Sequence, residues 1–213
     1  MAETASPARA EDAAPAAEGA SVRDRLIAAA VQEFGEQGYD RARVQDIARR
    51  AGLTTGAIYG NFRNKAELLA EAVDSGLAAA SRMVDRALND GVGAARLLET
   101  IVTVAADPCQ RAWAPLISEA LAAAKRDAEV AAKVHRSLRA SEKRLTDLAL
   151  LAQREGTLTR EVDAAVLARL MLYISVGMDV LAALDVQNPE PAAWSSSMRR
   201  LFAGLSDEDP GTP

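Results

Sequence analysis

One cysteine, one histidine and very few aromatic residues (4% of 213) are what this chain is poorest in, and each scarcity excludes something. With Cys109 alone no intramolecular disulfide can form, so a reducing compartment and a cytoplasmic protein are expected. A structural zinc site needs several converging His or Cys ligands, which Cys109 and His135 cannot supply, so neither a metal nor a cofactor is expected. A catalytic dyad of these two would require them to meet in space. No phosphate-binding loop, nucleophile elbow or paired-carboxylate signature accompanies them, and no catalytic residue is assigned. His135, between Val134 and Arg136 on a charged helix, reads as a surface or boundary residue. The N-terminus lacks a basic region followed by an apolar one, and no apolar run reaches the roughly 18 residues of a membrane span, so no membrane partner is expected.

Long β-alternation is missing too, whereas helical periodicity recurs almost throughout a chain that is 49% hydrophobic and rich in alanine. The fold should be all-α. Residues 1–20, full of Ala, Pro and Glu, and residues 206–213, with Asp207, Glu208 and Asp209 together, are expected to be disordered tails. Between them the reading divides the chain at 70/71, into an N-terminal three-helix unit (21–70) and a C-terminal helical domain (71–205).

Residues 43–69 carry the most information, spelling helix, glycine turn, short helix and a freshly capped helix. Ile47 and Ala48 lie on one face of a helix that must stop at Gly52, where positive φ lets the backbone turn. Leu53 and Ile58 plug the joint. In the short helix over about 55–61, Gly56 and Gly60 each cost roughly 1 kcal/mol relative to alanine. Being four apart, they make one bare face, flanked by Thr55 and Tyr59, while Ile58 and Phe62 make the anchoring face. Such a face can approach a DNA groove, with Thr54 capping the helix and amides near phosphates. Ser21 with Asp24 resembles a capping box for a first helix carrying Leu26, Ala30 and Phe34 and ending near Gly38. Asn64 with Glu67 repeats that pattern for a longer helix running to about Leu88.

Ile47-Ala48, Ala51-Gly52-Leu53, Ile58-Tyr59, Phe62, Lys65 and Leu68-Leu69 together resemble the N-terminal helix-turn-helix domain of the TetR family of transcriptional regulators, from Ser21 to about Val73. The resemblance implies that Tyr59 and Lys65 touch phosphates and that Thr54, Thr55, Gly56 and Ala57 lie along the groove edge. Asn61 stands where a histidine is common and Gly60 where a large residue is common. Arg43 replaces a threonine that caps the first motif helix; arginine reaches phosphate but offers no capping oxygen. The net charge of −5 opposes a nucleic-acid partner, but residues 21–70 hold eight Lys/Arg against six acids, locally +2. Arg23, Arg43, Arg63 and Lys65 are expected near the ends of the motif helices, where phosphates would sit.

Downstream, residues 92–155 contain three candidate helices, broken near Asp107-Pro108 and near 125–127, with Asp127 as an N-cap and Gly156 as a stop. Pro115 should perturb or kink the middle one, leaving room for a small-molecule effector beside Trp113, Leu116 and Ile117, with Met171 and Met178 as further pocket residues. Asp163 caps a helix whose apolar surface is wider than one core stripe needs. With a last helix after Asn188-Pro189, it supplies a candidate homodimer interface: Leu170, Ile174, Gly177, Leu181, Trp194, Met198, Leu201 and Phe202. The resemblance implies a dimeric, effector-released repressor on a palindromic double-stranded operator. The alternative is an all-α enzyme or interaction module in which the helix corner is scaffold.

Overall fold

Side chains at the helix starts account for most of the architecture in the computed structural model, which describes residues 20–106 and 114–206. Cys109, Trp113, the Asp107-Pro108 break and nearly all of both expected tails lie outside the described residues. The elements are α1 (Val22–Gln37), α2 (Val44–Arg50), α3 (Thr55–Asn61), α4 (Lys65–Asn89), α5 (Ala94–Thr103) with a 3-10 turn (Val104–Ala106), α6 (Ala114–Ala124), α7 (Ala128–Arg154), α8 (Ala164–Ala183) and α9 (Pro191–Ala203). The fold is all-α, with no strand among the described residues.

The Ser21 hydroxyl accepts from the Asp24 amide (3.1 Å) and the Asp24 carboxylate accepts from the Ser21 amide (3.2 Å), completing a capping box. At α4 the Asn64 side chain accepts from the Glu67 amide (2.7 Å), but the Glu67 carboxylate takes the amide of Arg63, one residue earlier than a box requires. Those contacts hold the Glu67 carboxyl below its usual range, through the Arg63 amide first and its guanidinium second. Asp127 and Asp163 cap α7 and α8 as their positions foretold. Each such cap stabilises its helix by about 1 kcal/mol. Pro115 falls in the first turn of α6, where its missing N–H breaks no helical hydrogen bond.

Buried side chains form two apolar clusters. The first takes Leu26 and Phe34 of α1, Ile47 of α2, Ile58 and Phe62 around α3 and Leu68, Leu69 and Val73 of α4. It continues into Leu116 and Ala120 of α6 and Val130 and Val134 of α7. A unit of about 50 residues buries little of its own surface, and α6 supplies what is missing: Leu116 packs against the backbone at Gly35. The 70/71 division therefore falls inside both α4 and this cluster. The second cluster joins Leu98 and Val102 of α5, Leu148 and Ala152 of α7 and Leu167 and Met171 of α8, with Trp194, Met198 and Phe202 of α9 half-buried against it. Trp194 is held there by donation from Nε1 to the Val102 carbonyl (2.7 Å).

α4 and α7 lie side by side in the same direction, tied by Lys133 to Glu71, by the Ser137 hydroxyl to the Asp74 carboxylate (2.6 Å) and by Arg144 to Asp85. Uninterrupted apolar runs are short, yet α8 is long and apolar enough to cross a membrane by length and composition alone, with a mean hydropathy of 1.7 over an 18-residue stretch despite Arg169 and Asp179. Only 28% of that stretch is buried, so its other faces are left to be explained.

Candidate nucleic-acid interface

The corner between α2 and α3 is made by main chain rather than side chains. Gly52 takes φ +66°, its amide donates to Arg49 O (3.0 Å), and the Leu53 amide reaches back to Ala48 O (2.9 Å). Ala48 is small and buried, as a close helix crossing needs. Arg25 of α1 closes the corner by donating from Nη2 to Ala51 O (2.7 Å). Thr54 is the N-cap of α3 by backbone geometry, but its side chain accepts no capping hydrogen bond, contrary to its expected role. Arg43, the N-cap of α2, likewise gives no side-chain cap, as an arginine must.

α3 is anchored on one side by buried Ile58, with buried Phe62 at its C-cap. Its other side is open. Tyr59 is 62% exposed, Thr54, Gly56 and Gly60 are exposed, and Thr55 and Ala57 are half-buried at the margin. A Cβ built on Gly60 would meet nothing within 4 Å, whereas one on Gly52 would meet Arg25 Nη2 at 3.2 Å in a strained conformation. The two glycines should therefore respond oppositely to alanine. Gly52→Ala is expected to lower stability by about 1 to 2 kcal/mol and Gly60→Ala to raise it by about 0.5 to 1 kcal/mol, read as shifts in the urea midpoint.

The cations divide. Arg43 is exposed and makes no side-chain hydrogen bond or ion pair among the described residues. Arg23 turns inward: it pairs with Glu71 (2.7 Å), donates to Asn61 O (2.8 Å) and lies 4.5 Å over the Phe62 ring. Arg63 is taken by Glu67 (3.3 Å) and by Glu129 of α7. Lys65 sits 4.4 Å over the Tyr39 ring with Nζ near Asp40 O (3.4 Å), and burial there pulls its ammonium below the usual lysine range. The Asn61 side-chain amide donates back to Ala57 O (2.8 Å). The structure thus leaves Thr54, Thr55, Gly56, Ala57 and Tyr59 along the open side and margin of α3, with Arg43 exposed at the start of α2. Asn61 and Lys65 lie at the far end of α3 with partners inside the protein. The inward role of Arg23 carries no local sequence signal, since its partner lies 48 residues away, whereas Arg63, 63% exposed, has a local partner in Glu67 and a distant one, 66 residues away, in Glu129.

Of the expected pocket residues, Leu116 and Ile117 fill the first cluster and Met171 the second, while Met178 is buried on α8, which faces α6 through a Ser118 hydroxyl to Asp179 O bond (3.2 Å). A polar cleft of about 130 Å³ lies elsewhere, between the starts of α4 and α7, lined by Arg63, Asn64, Glu67, Asp127, Glu129 and Lys133 among others. Of the expected dimer residues, Leu170, Leu181 and Leu201 are exposed, and Gly177 is half-buried with open space where a Cβ would be. Ile174, Trp194, Met198 and Phe202 instead pack on the second cluster. Val166 (66% exposed), Tyr173 (63%) and Leu184 belong to the outward set as well. Their spacing with Leu170, Gly177 and Leu181 follows one helical stripe that sequence reading did not separate from the rest of α8. His135 is exposed, and among the described residues no group of three or more His, Cys, Asp or Glu could hold a metal ion.

This geometry has counterparts in known proteins. Residues 26–72 match the family model described as bacterial regulatory proteins, tetR family. The chain is 35% identical over 106 residues to the uncharacterized HTH-type transcriptional regulator TtgW of Pseudomonas putida, covering 50% of this chain and 76% of that one. It is equally similar over 106 residues to the HTH-type transcriptional regulator SrpR of the same species, but spans only 48% of SrpR's length. The fold matches that of regulatory protein TetR from Rhodobacter sphaeroides with a TM-score of 0.66, at 22% identity, over 86% of this chain and 98% of the other. A glycine-cornered reader on an all-α body, with a relative this similar across most of its length, places the chain in the TetR family of DNA-binding transcriptional regulators.

Proposed function

We propose that the protein is a homodimeric repressor that grips a palindromic operator through two copies of α3 and is released by a small-molecule effector. The observation that carries the reading is the bare, exposed face of α3, opposite the buried Ile58 and Phe62. Thr54, Thr55, Gly56 and Ala57 would run along the groove edge, Tyr59 and Arg43 would meet phosphates, and Lys65 would reach them on leaving Tyr39. Asn61 would reach DNA only on releasing Ala57 O from its side-chain amide. Such a protein works on DNA in the cytoplasm and needs no catalytic group.

Dimerisation is supported by the outward stripe of α8. A contiguous run of large apolar side chains marks a surface meant to be covered, and the nearly empty space at Gly177 allows a second helix to approach. The effector would enter between α6 and α8, where buried Met178 precedes Asp179, whose carbonyl accepts from Ser118 of the helix carrying Leu116 and Ile117, with Trp113 just before that helix in sequence. It would act by favouring the dimer shape whose readers miss the half-site spacing.

Two outcomes check the reading. Tyr59→Ala should weaken binding to operator and unrelated DNA alike by about three- to tenfold, because phosphate contacts position without specifying, measured by titration of fragments selected from genomic DNA. Wild-type affinity in a correctly folded variant would place the docking face elsewhere. For assembly, Leu170→Glu and Leu201→Glu are better probes than changes at Ile174 or Phe202, which pack on the second cluster. Both should turn the protein monomeric by light scattering and reduce operator affinity by about tenfold or more as the second reader is lost. A wild type that is monomeric, or that floats with lipid vesicles, would overturn the dimer.

A further inference from the structure

One oxygen of Glu71 serves two cations that belong to different parts of the molecule. It accepts from Arg23 Nη2 of α1 at 2.7 Å and from Lys133 Nζ of α7. The same Arg23 donates from Nη1 to the carbonyl of Asn61, the last residue of α3, and covers the ring of Phe62, its C-cap. Helix-end carbonyls need partners from outside the helix, and a cation there also complements the helix dipole. Arg23 supplies both to a seven-residue helix that has no basic residue in its own last turn.

Glu71 is 16% exposed and Lys133 22%, so little solvent screens that pair, while Arg23, 39% exposed, is the more solvated partner. Burial and the nearby Arg23 charge both hold the Lys133 ammonium below the usual lysine range. Arg23 and Lys133 thus compete for one anion and repel each other across it.

We propose that Arg23 is the positioning residue for the C-terminal end of the recognition helix, and that Lys133 of α7 sets its grip by drawing on the same Glu71 oxygen. Seating α7 on α4 loosens the hold on α3, and withdrawing α7 leaves Glu71 to Arg23 alone and tightens it. The inference rests on α3 being the reader, but its test needs no DNA.

The readout is hydrogen exchange, by NMR on the free full-length protein, of the Phe62 amide, which bonds to Ile58 O at 2.7 Å. The Gly38 amide, bonded to Phe34 O at 3.0 Å at the end of α1, is the internal reference. Lys133→Met, which keeps the apolar stem, should slow Phe62 exchange relative to Gly38 by about threefold, and Glu71→Gln should speed it by about threefold or more, the size of coupling expected within one charged network. In the Glu71→Gln background, adding Lys133→Met should change nothing. Ser137→Ala cuts a different tie between α7 and α4, to Asp74, and should leave Phe62 at the parent rate. The relay is overturned if Lys133→Met leaves Phe62 exchange unchanged or faster, if its effect survives Glu71→Gln, or if Ser137→Ala reproduces it. Because no DNA is present, an error in the docking face would leave this result standing.

Discussion

A seven-residue helix with two glycines does not persist in water by itself, so everything the protein does with α3 depends on the burial of Ile58 and Phe62. Those two side chains hold the helix down on α1 and α4 and decide which of its faces is left over. Local propensity has been given up on the outer face, and tertiary packing replaces it. The same constraint explains why α6 and the first turns of α7 are drawn into the cluster around α3. Three short helices and the start of α4 cannot by themselves bury enough to keep such a poor helix in place.

An acidic chain that binds DNA presents an electrostatic puzzle, and the structure answers it by ordering the charges rather than by adding more of them. Arg23, Arg50 and Arg63 are consumed by Glu71, by Glu33 with Glu36, and by Glu67 with Glu129. What is left exposed on α2 and α3 is the guanidinium of Arg43, that of Arg49 with its Asp46 partner, the phenol of Tyr59, a hydroxyl and bare backbone. The proposed contact with phosphate would therefore rest on geometry at a helix corner and on a local excess of positive charge, against an acidic chain as a whole.

How much could be read beforehand follows from the range of each interaction. The capping box at Ser21, the Asp127 and Asp163 caps and the positive-φ turn at Gly52 are all settled by residues within three or four positions, and all were legible. Thr54 failed as a side-chain cap because nothing in sequence says where its hydroxyl will point once Leu53 has plugged the corner. Arg23 and Lys65 were read as surface cations since Glu71 and the Tyr39 ring become neighbours only after α1 folds onto α4. α8 is apolar nearly all round, so periodicity could not say that Ile174 looks inward while Tyr173 looks out.

α4 contributes Leu68 and Val73 to one apolar cluster and Val84 and Leu88 to the edge of the other, and this gives it a mechanical role. Twenty-five residues at about 1.5 Å each make a rod of roughly 37 Å with no loop in which to absorb strain. A tilt of only about 5° at one end displaces the other by roughly 3 Å, as long as a hydrogen bond. A change in packing around Leu88 too small to repack any side chain is therefore magnified on its way to Asn64, where the recognition helix hangs.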